Sequence, residues 1–430
     1  MSQIPRLHAP QPDDLTVGNV TVGAVSLSRF NWRLATALFL AGILWIGPYV
    51  GSVGVVMPAL VAEVAPEERV GLVATMGLAG AFLSLLSNIV FGALSDLTRS
   101  PIGARAPWIL LGSVGTSIGL WGLHSATTTT TLVVWWCVYM LFLNAIIAPM
   151  VAVISDRVPS KYRGTVSSIY GVGMVLGASI GQIVGAGFVS DPTVGIQVFA
   201  VVSLVSGVFF VVVAPEKSNR AEARAKLSGR RLLHSFALPR RGSRDFYLAL
   251  FGKFALIAGM YAITNYQLYI LIDHIGLDQG GAAGIIAIMA GIQLVTALVF
   301  GLGSGPLSDR LGRRKPFIIV AALLVGVGIL VPFLAPFAWG MIVFSVLAGI
   351  GNGVFTSVDQ ALNIEVLPDP KTAAKDLGLL NMANSGGQML GPVVTSLVVA
   401  TTGGYQLAFV AAFVLLVISA ILIVPIRSVR

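Results

Sequence analysis

The chain is predicted to be an all-α membrane protein of about twelve transmembrane helices in two pseudo-symmetric six-helix halves. Three observations lead there. The 430 residues are 56% hydrophobic and only 10% charged, too few charges to cover a soluble fold of this length. The apolar residues gather into long segments, each near the roughly 20 residues that a helix needs to cross a bilayer. One loop sequence occurs twice.

The segments are expected near 34–62, 70–94, 107–126, 130–155, 164–189, 194–214, 246–272, 281–307, 316–336, 338–366, 374–402 and 404–426. Two joins are tight: one holds the Thr127 to Thr131 run, the other Pro332 and Pro336. Residues 1–33 are polar, with Pro5, Pro10, Pro12, Asp13 and Asp14. A cleavable leader would place its apolar core near the start, so this stretch reads as a cytoplasmic tail. The expected organisation is that tail, a six-helix bundle over 34–214, a basic linker over 215–245, a second bundle over 246–426 and a short cytoplasmic end at 427–430.

Composition also excludes classes of chemistry. Cys137 is the sole cysteine, so there is no internal disulfide and no thiolate metal cluster. His8, His124, His234 and His274 are scattered without zinc spacing. No G-x-x-x-x-G-K-[ST] string occurs, so nothing points to ATP hydrolysis. No metal and no cofactor are expected. The net charge is +9, but the bases sit in short loops, a pattern of membrane orientation and not of nucleic-acid binding.

The loops after even-numbered spans carry Arg99, Arg105, Arg157, Lys161, Arg163, the 217–244 cluster, Arg310, Arg313, Arg314, Lys315, Lys371 and Lys375. The opposite loops hold Arg69 against Glu63, Glu67, Glu68, Asp191, Asp273 and Asp278. The positive-inside rule then places both termini and the basic loops in the cytoplasm, with the chain in the inner (plasma) membrane. The 215–245 segment reads either as a basic strip on anionic lipid or as a solvated linker.

The repeated loop is GALSDLTRSPIGARAPWI at 92–109 and GPLSDRLGRRKPFI at 305–318. Asp96 and Asp309 are 213 positions apart in a chain of 430. A weaker echo pairs GASIG (177–181) with GQMLG (387–391). A repeat at half length, split by one long loop, indicates two six-helix halves and is a transporter signature.

The paired G-x-L-S-D…G-x-R-x-P loops resemble the loop motif of the major facilitator superfamily. SDLTRSPIGARAPW (95–108), 245–271 and 358–384 are similar to its sugar–cation symporter and sucrose-transporter-like branch. Ala104 and Ala106 stand where that family often has arginines. The resemblance implies alternating access and a gating role for Asp96, Arg99, Arg105, Asp309, Arg310 and Arg313, with the two aspartates bonding helix ends and loop bases. The plainer alternative is a solvated loop carboxylate. It also implies a central cavity lined by spans one, four, seven and ten.

An ionisable side chain inside a membrane is a functional candidate by default. Two stand clearly inside spans, Lys253 in span seven and Asp359 in span ten. Each lies about 10 Å from the same membrane face at 1.5 Å rise per residue. They read as an ion pair coupled to protons, or as a snorkelling lysine and a structural carboxylate.

Polar stripes accompany them: Asn352, Asp359 and Asn363 on span ten, and Lys253, Thr264 and Gln267 with Tyr261 at the flank on span seven. Span eleven adds Asn381, Ser385 and Gln388. Such stripes face a cavity or another helix. In the first half, Trp45 and Tyr49 of span one and Asn144 of span four are candidates for an aromatic and amide sugar site, or are packing groups. Glycines recur in span five (Gly173, Gly177, Gly181, Gly185) and span eight (Gly280, Gly284, Gly291). The family resemblance makes these two spans face each other across the halves, where smooth contact lets them rock.

The expected function is secondary active transport of a sugar or similar small polar solute, coupled to protons, by a monomer in a lipid bilayer. The alternative is a proton-driven exporter of drugs or metabolites with the same fold. Such antiporters carry an arginine in span four and G-x-x-x-G-P in span five. Here 130–155 has no arginine, and that string sits in span eleven (Gly387, Gly391, Pro392). An intramembrane enzyme would need a Ser/His, His/Glu or paired-Asp site at depth, which the sequence lacks.

Overall fold

The structure, a computed structural model, describes residues 30–221, 239, 243–368 and 373–427. The readings of the N-terminal tail, of much of the linker and of residues 428–430 lie outside the described residues.

Twelve long helices account for the fold: α1 (Trp32–Val64), α2 (Arg69–Leu97), α3 (Ala106–His124), α4 (Thr129–Arg157), α5 (Ser160–Ala186), α6 (Pro192–Val213), α7 (Arg244–Thr264), α8 (Gln279–Leu311), α9 (Lys315–Leu334), α10 (Ala338–Glu365), α11 (Ala373–Thr402) and α12 (Gln406–Ile423). Eleven of them are long and apolar enough to cross a membrane. The remaining one, α11, is 30 residues long and bears the polar stripe.

Local chemistry sets most ends. Asn31 accepts from the Leu34 amide at 3.1 Å, Asp191 from Val194 at 3.4 Å and Asp278 from Gly281 at 3.1 Å. Thr128 and Thr131 form a reciprocal capping box that opens α4. Pro107, Pro192 and Pro316 occupy first turns, where a missing N–H costs nothing.

Two spans depart from the expected plain helices. Pro48 interrupts α1, and a five-residue π turn, Ser52–Val56, follows it. The seventh span was expected to run to 272, but α7 ends at Thr264. A short helical turn (Gln267–Tyr269) and a second π turn (Ile270–His274) complete that crossing.

The packing repeats. In the first half α1 packs on α5 and α6, α2 on α4, and α3 on α4 and α6. In the second half α7 packs on α11 and α12, α8 on α10, and α9 on α10 and α12. Adding six to each label of the first set yields the second. The halves meet where α2 lies on α11 and α5 on α8, two contacts related by the same operation.

The glycine seam is not where it was expected. Side chains on Gly173, Gly177 and Gly181 would collide with the backbone of α1 at Phe39, Ile43 and Gly47. The α5 glycines therefore let α1 and α5 approach inside the first half. On α8, a Cβ at Gly284 or Gly291 would meet nothing within 4 Å, so these residues make no close contact across the halves.

Candidate functional site

The break in the seventh span positions the site. Continuing α7 would bond the Tyr266 amide to Ala262 O, but that amide turns to Ile263 O at 3.0 Å. The freed Ala262 carbonyl accepts from the Thr395 hydroxyl of α11 at 2.6 Å, so that carbonyl is not left orphaned in the apolar interior. The chain beyond the break then reaches the first half. Gln267 Nε2 donates to Gly54 O in the π turn of α1 and to Gln182 Oε1 of α5, both at 3.2 Å. The Tyr269 hydroxyl donates to Pro58 O at 2.7 Å. The Tyr266 hydroxyl lies 2.9 Å from Val70 O and 3.1 Å from Pro392 O. Arg69 pairs with Asp273 at 2.9 Å and lies over the Tyr269 ring, 5.1 Å from its centre. Hydrogen bonds between the halves thus gather at the end of the molecule that carries Arg69 and Asp273, and that end is closed.

Beneath the closure lies a small cavity between the halves. Tyr49 and Met57 of α1 line it with Trp136 and Met140 of α4. Tyr261 and Asn265 face them from the seventh span, Ser385 and Gln388 from α11, and Ser84 from α2. The Tyr49 hydroxyl donates to Gln388 Oε1 at 3.4 Å, bridging the halves. The buried Trp136 Nε1 has no hydrogen-bond partner among the described residues. Among the described lining residues none is charged.

A buried ion pair sits elsewhere. Lys253 Nζ of α7 donates to Asp359 Oδ2 of α10 at 2.7 Å, and Asn363 Nδ2 donates to the same oxygen at 2.9 Å. The two charged side chains are 3% and 10% exposed, so each is the other's main compensation for lost water. Neither lines the cavity.

Other expected site residues are placed as follows. Trp45 does not join Tyr49 in a platform: its Nε1 donates to the Tyr170 hydroxyl of α5 at 3.0 Å. Asn144 ties helices together, donating to Met140 O and Ser84 Oγ and accepting from Asn88 at 3.1 Å. Gln267 does not share a helical face with Lys253 and Thr264, because the break at Asn265 intervenes. Thr264 donates to Met260 O at 3.1 Å. Asn352 is half-buried and Asn381 exposed, and neither lines the cavity. Tyr49, Tyr261 and Gln388 are brought together in it.

The repeated loops form two matching ion-pair triads. Arg105 binds Asp96 at the end of α2 and Asp156 at the end of α4, the latter at 2.8 Å. Arg314 binds Asp309 at 3.2 Å and Glu365 at 3.0 Å. The base that meets Asp309 is therefore Arg314. Arg310 and Arg313 are exposed and form no ion pair among the described residues. The αL glycine that ends α8, Gly312 (φ 59°), redirects the chain so that Arg314 turns back over the helix end. Gly103 (φ 95°) has the same part in the first loop, where Glu216 crowds its open side and accepts from the Arg105 amide at 2.9 Å. Arg99 bonds the carbonyls of Asp96 and Thr98. Burial alone would lower the Arg105 pKa; the bound carboxylates of Asp156 and Asp96 reverse this and hold it above the usual arginine value.

Sequence reading missed Asp156, Glu365, Trp136, Asn265 and the Arg69–Asp273 pair. A signal existed for the triads. Gly103 and Gly312, Arg105 and Arg314, and Asp156 and Glu365 are each 209 positions apart. Asp96 and Asp309 are 213 apart because the first loop is four residues longer.

A profile described as the Major Facilitator Superfamily matches residues 34–302 and 254–430. Multidrug resistance protein MdtH of Cronobacter sakazakii is 25% identical over 35% of this chain and 36% of that protein. The nitrite extrusion protein of Bacillus subtilis is 24% identical over 59% of this chain and 60% of that protein. The chain thus matches less than two thirds of the length of these curated relatives. Among solved structures, a bacterial homologue of the human lysosomal transporter Spinster, inward-facing and unoccupied, is similar with a TM-score of 0.71 at 17% identity, covering 92% of this chain and 97% of the other.

Proposed function

This chain belongs to the Major Facilitator Superfamily, as a multi-pass membrane transporter and not an enzyme, and from that premise we propose that it moves an uncharged, hydroxyl-bearing solute of the sugar class, coupled to protons. The observation that carries the reading is the cavity lining. Tyr49, Trp136 and Tyr261 offer ring faces to C–H surfaces, while Asn265, Ser385 and Gln388 offer donors and acceptors to hydroxyl groups. A cavity without a charge suits a neutral solute; an anion would leave its charge uncompensated in a low dielectric.

The enclosed space is about 70 Å³. That is well under the roughly 300 Å³ at which pockets begin to hold drug-sized ligands, so the solute enters when the halves part. The long Tyr49–Gln388 bond is the polar contact that solute hydroxyls replace. Near the basic end, a Cβ on Gly164 or Gly171 of α5, or on Gly378 of α11, would meet nothing within 4 Å. The halves are free to rock there about the α2–α11 and α5–α8 contacts. The charge bias of the loops supports a cytoplasmic position for this end and for both termini. This cavity lies within one chain, so a monomer suffices.

Coupling rests on Lys253 and Asp359. Motion that separates α7 from α10 leaves Asp359 a buried charge without its cation, and binding a proton removes that cost. Proton binding is thereby linked to the conformational equilibrium.

A second reading, export of an apolar solute, is favoured by Met57, Met140, Val53 and Val73 in the same lining, since methionines adapt to varied apolar shapes. Purified protein in vesicles should take up labelled mono- or disaccharide, more strongly with an imposed pH gradient, and ignore nitrite and a lipophilic cation. Movement of the lipophilic cation without that of any sugar would replace the first reading with the second.

A further inference from the structure

The membrane-facing side of the second half carries a cavity that the transport cycle leaves unused. It is a groove of about 550 Å³ between α8, α9 and α10. Val299, Phe300 and Leu307 of α8 form one wall, Phe317 and Val320 of α9 the other, and Val354 of α10 the floor. Val299 is 60%, Leu307 49% and Val320 50% exposed, so the walls are open to the bilayer.

The groove begins where the two helices end. From Leu307 back to Val299 is a length of about 12 Å at 1.5 Å per residue, and from Pro316 on to Leu324 is the same. The slot therefore runs through most of the roughly 15 Å hydrocarbon depth of one leaflet. Its mouth is the basic connection 310–315. Two of those bases are occupied: Arg314 by Asp309 and Glu365, and Lys315 by the carbonyls of Val424 and Ile426 at 2.9 and 2.6 Å. Arg310 and Arg313 are exposed and, among the described residues, form no ion pair.

We propose that this groove binds one anionic phospholipid, its acyl chain between α8 and α9 and its phosphate on Arg310 and Arg313. An apolar slot of leaflet depth matches an acyl chain, and two free guanidinium groups at the headgroup level match a phosphate, which each can bond through a planar fork. A zwitterionic lipid matches the slot but brings its own cation to the mouth. The bases that the repeat motif suggested for gating are thus assigned to lipid, beside the Arg314 triad.

The test is native mass spectrometry of the purified full chain titrated with phosphatidylglycerol or phosphatidylcholine of matched chains. Each base near an anionic headgroup is worth about fivefold, so the anionic lipid should bind on the order of thirtyfold more tightly. The double substitution Arg310→Gln and Arg313→Gln should erase that preference and leave phosphatidylcholine binding unchanged. Gly303 lines the groove, and a Cβ there would meet nothing within 4 Å. Gly303→Leu should therefore fill the slot without a clash and weaken both lipids. Arg220→Gln, an exposed base on the linker, should change nothing. Equal binding of the two lipids overturns the proposal, as does a preference that survives the double substitution or one that Arg220→Gln removes as fully.

Discussion

Asp359→Asn should abolish accumulation driven by a pH gradient. With one proton carried per solute, a gradient of one pH unit sustains about a tenfold concentration ratio, because one unit is worth about 1.4 kcal/mol. The variant should bring that ratio to about one. Asparagine at 359 can keep an oxygen for Lys253 and for Asn363, which now lie 2.7 and 2.9 Å from Asp359 Oδ2. It cannot gain or lose a proton. It also leaves Lys253 as a buried cation without an anion, so loss of transport by that variant alone could reflect damage to the fold. The paired substitution Lys253→Gln with Asp359→Asn removes both charges and keeps amide hydrogen bonding. It should exchange solute across vesicles at near-native rates while failing to concentrate it. Should the paired variant still concentrate solute with only a proton gradient supplied, the coupling site lies elsewhere.

Lys253→Met should cost about 3–5 kcal/mol of stability, the usual range for stranding one member of a buried pair. The cost is large because Asp359 would keep only the Asn363 amide in a site where the carboxylate side chain is 10% exposed. Removing the acid as well, in Lys253→Met with Asp359→Leu, should recover most of the loss, since no charge is then left to compensate. Thermal midpoints in detergent, compared as a double-mutant cycle, measure this directly. The lysine and the aspartate act independently if the double variant falls as far as the sum of the two single ones, and the pair then has no role as a unit.

Much of the architecture was legible because it is written in local patterns. Outside the broken seventh span, helix ends fall within a few residues of the apolar segments, aided by caps such as Asp191 and Asp278. The repeated S-D loop located Asp96 and Asp309, and the scarcity of intramembrane charge singled out Lys253 and Asp359. The base that meets Asp309 is Arg314, one residue beyond the expected Arg313. Which of three consecutive bases turns back to Asp309 depends on the left-handed turn at Gly312, which the motif alone does not orient. The break after Thr264 carries no proline or glycine. It is held by the Thr395 hydroxyl on Ala262 O, from a residue 133 positions away.

The sequence by itself determined that this chain lies in a membrane, that it is built of long apolar helices, that its halves repeat and that Lys253 and Asp359 are buried charges. Hydropathy, charge and capping act within a turn or two of helix, so they survive in one dimension. Only the tertiary structure decided what those elements face. The rotation of a membrane helix about its axis is set by packing against its neighbours. That rotation sent Trp45 to Tyr170 and Tyr49 to Gln388, and turned the α5 glycines onto α1 and not onto α8. It also brought Arg69 to Asp273 across 204 positions of chain.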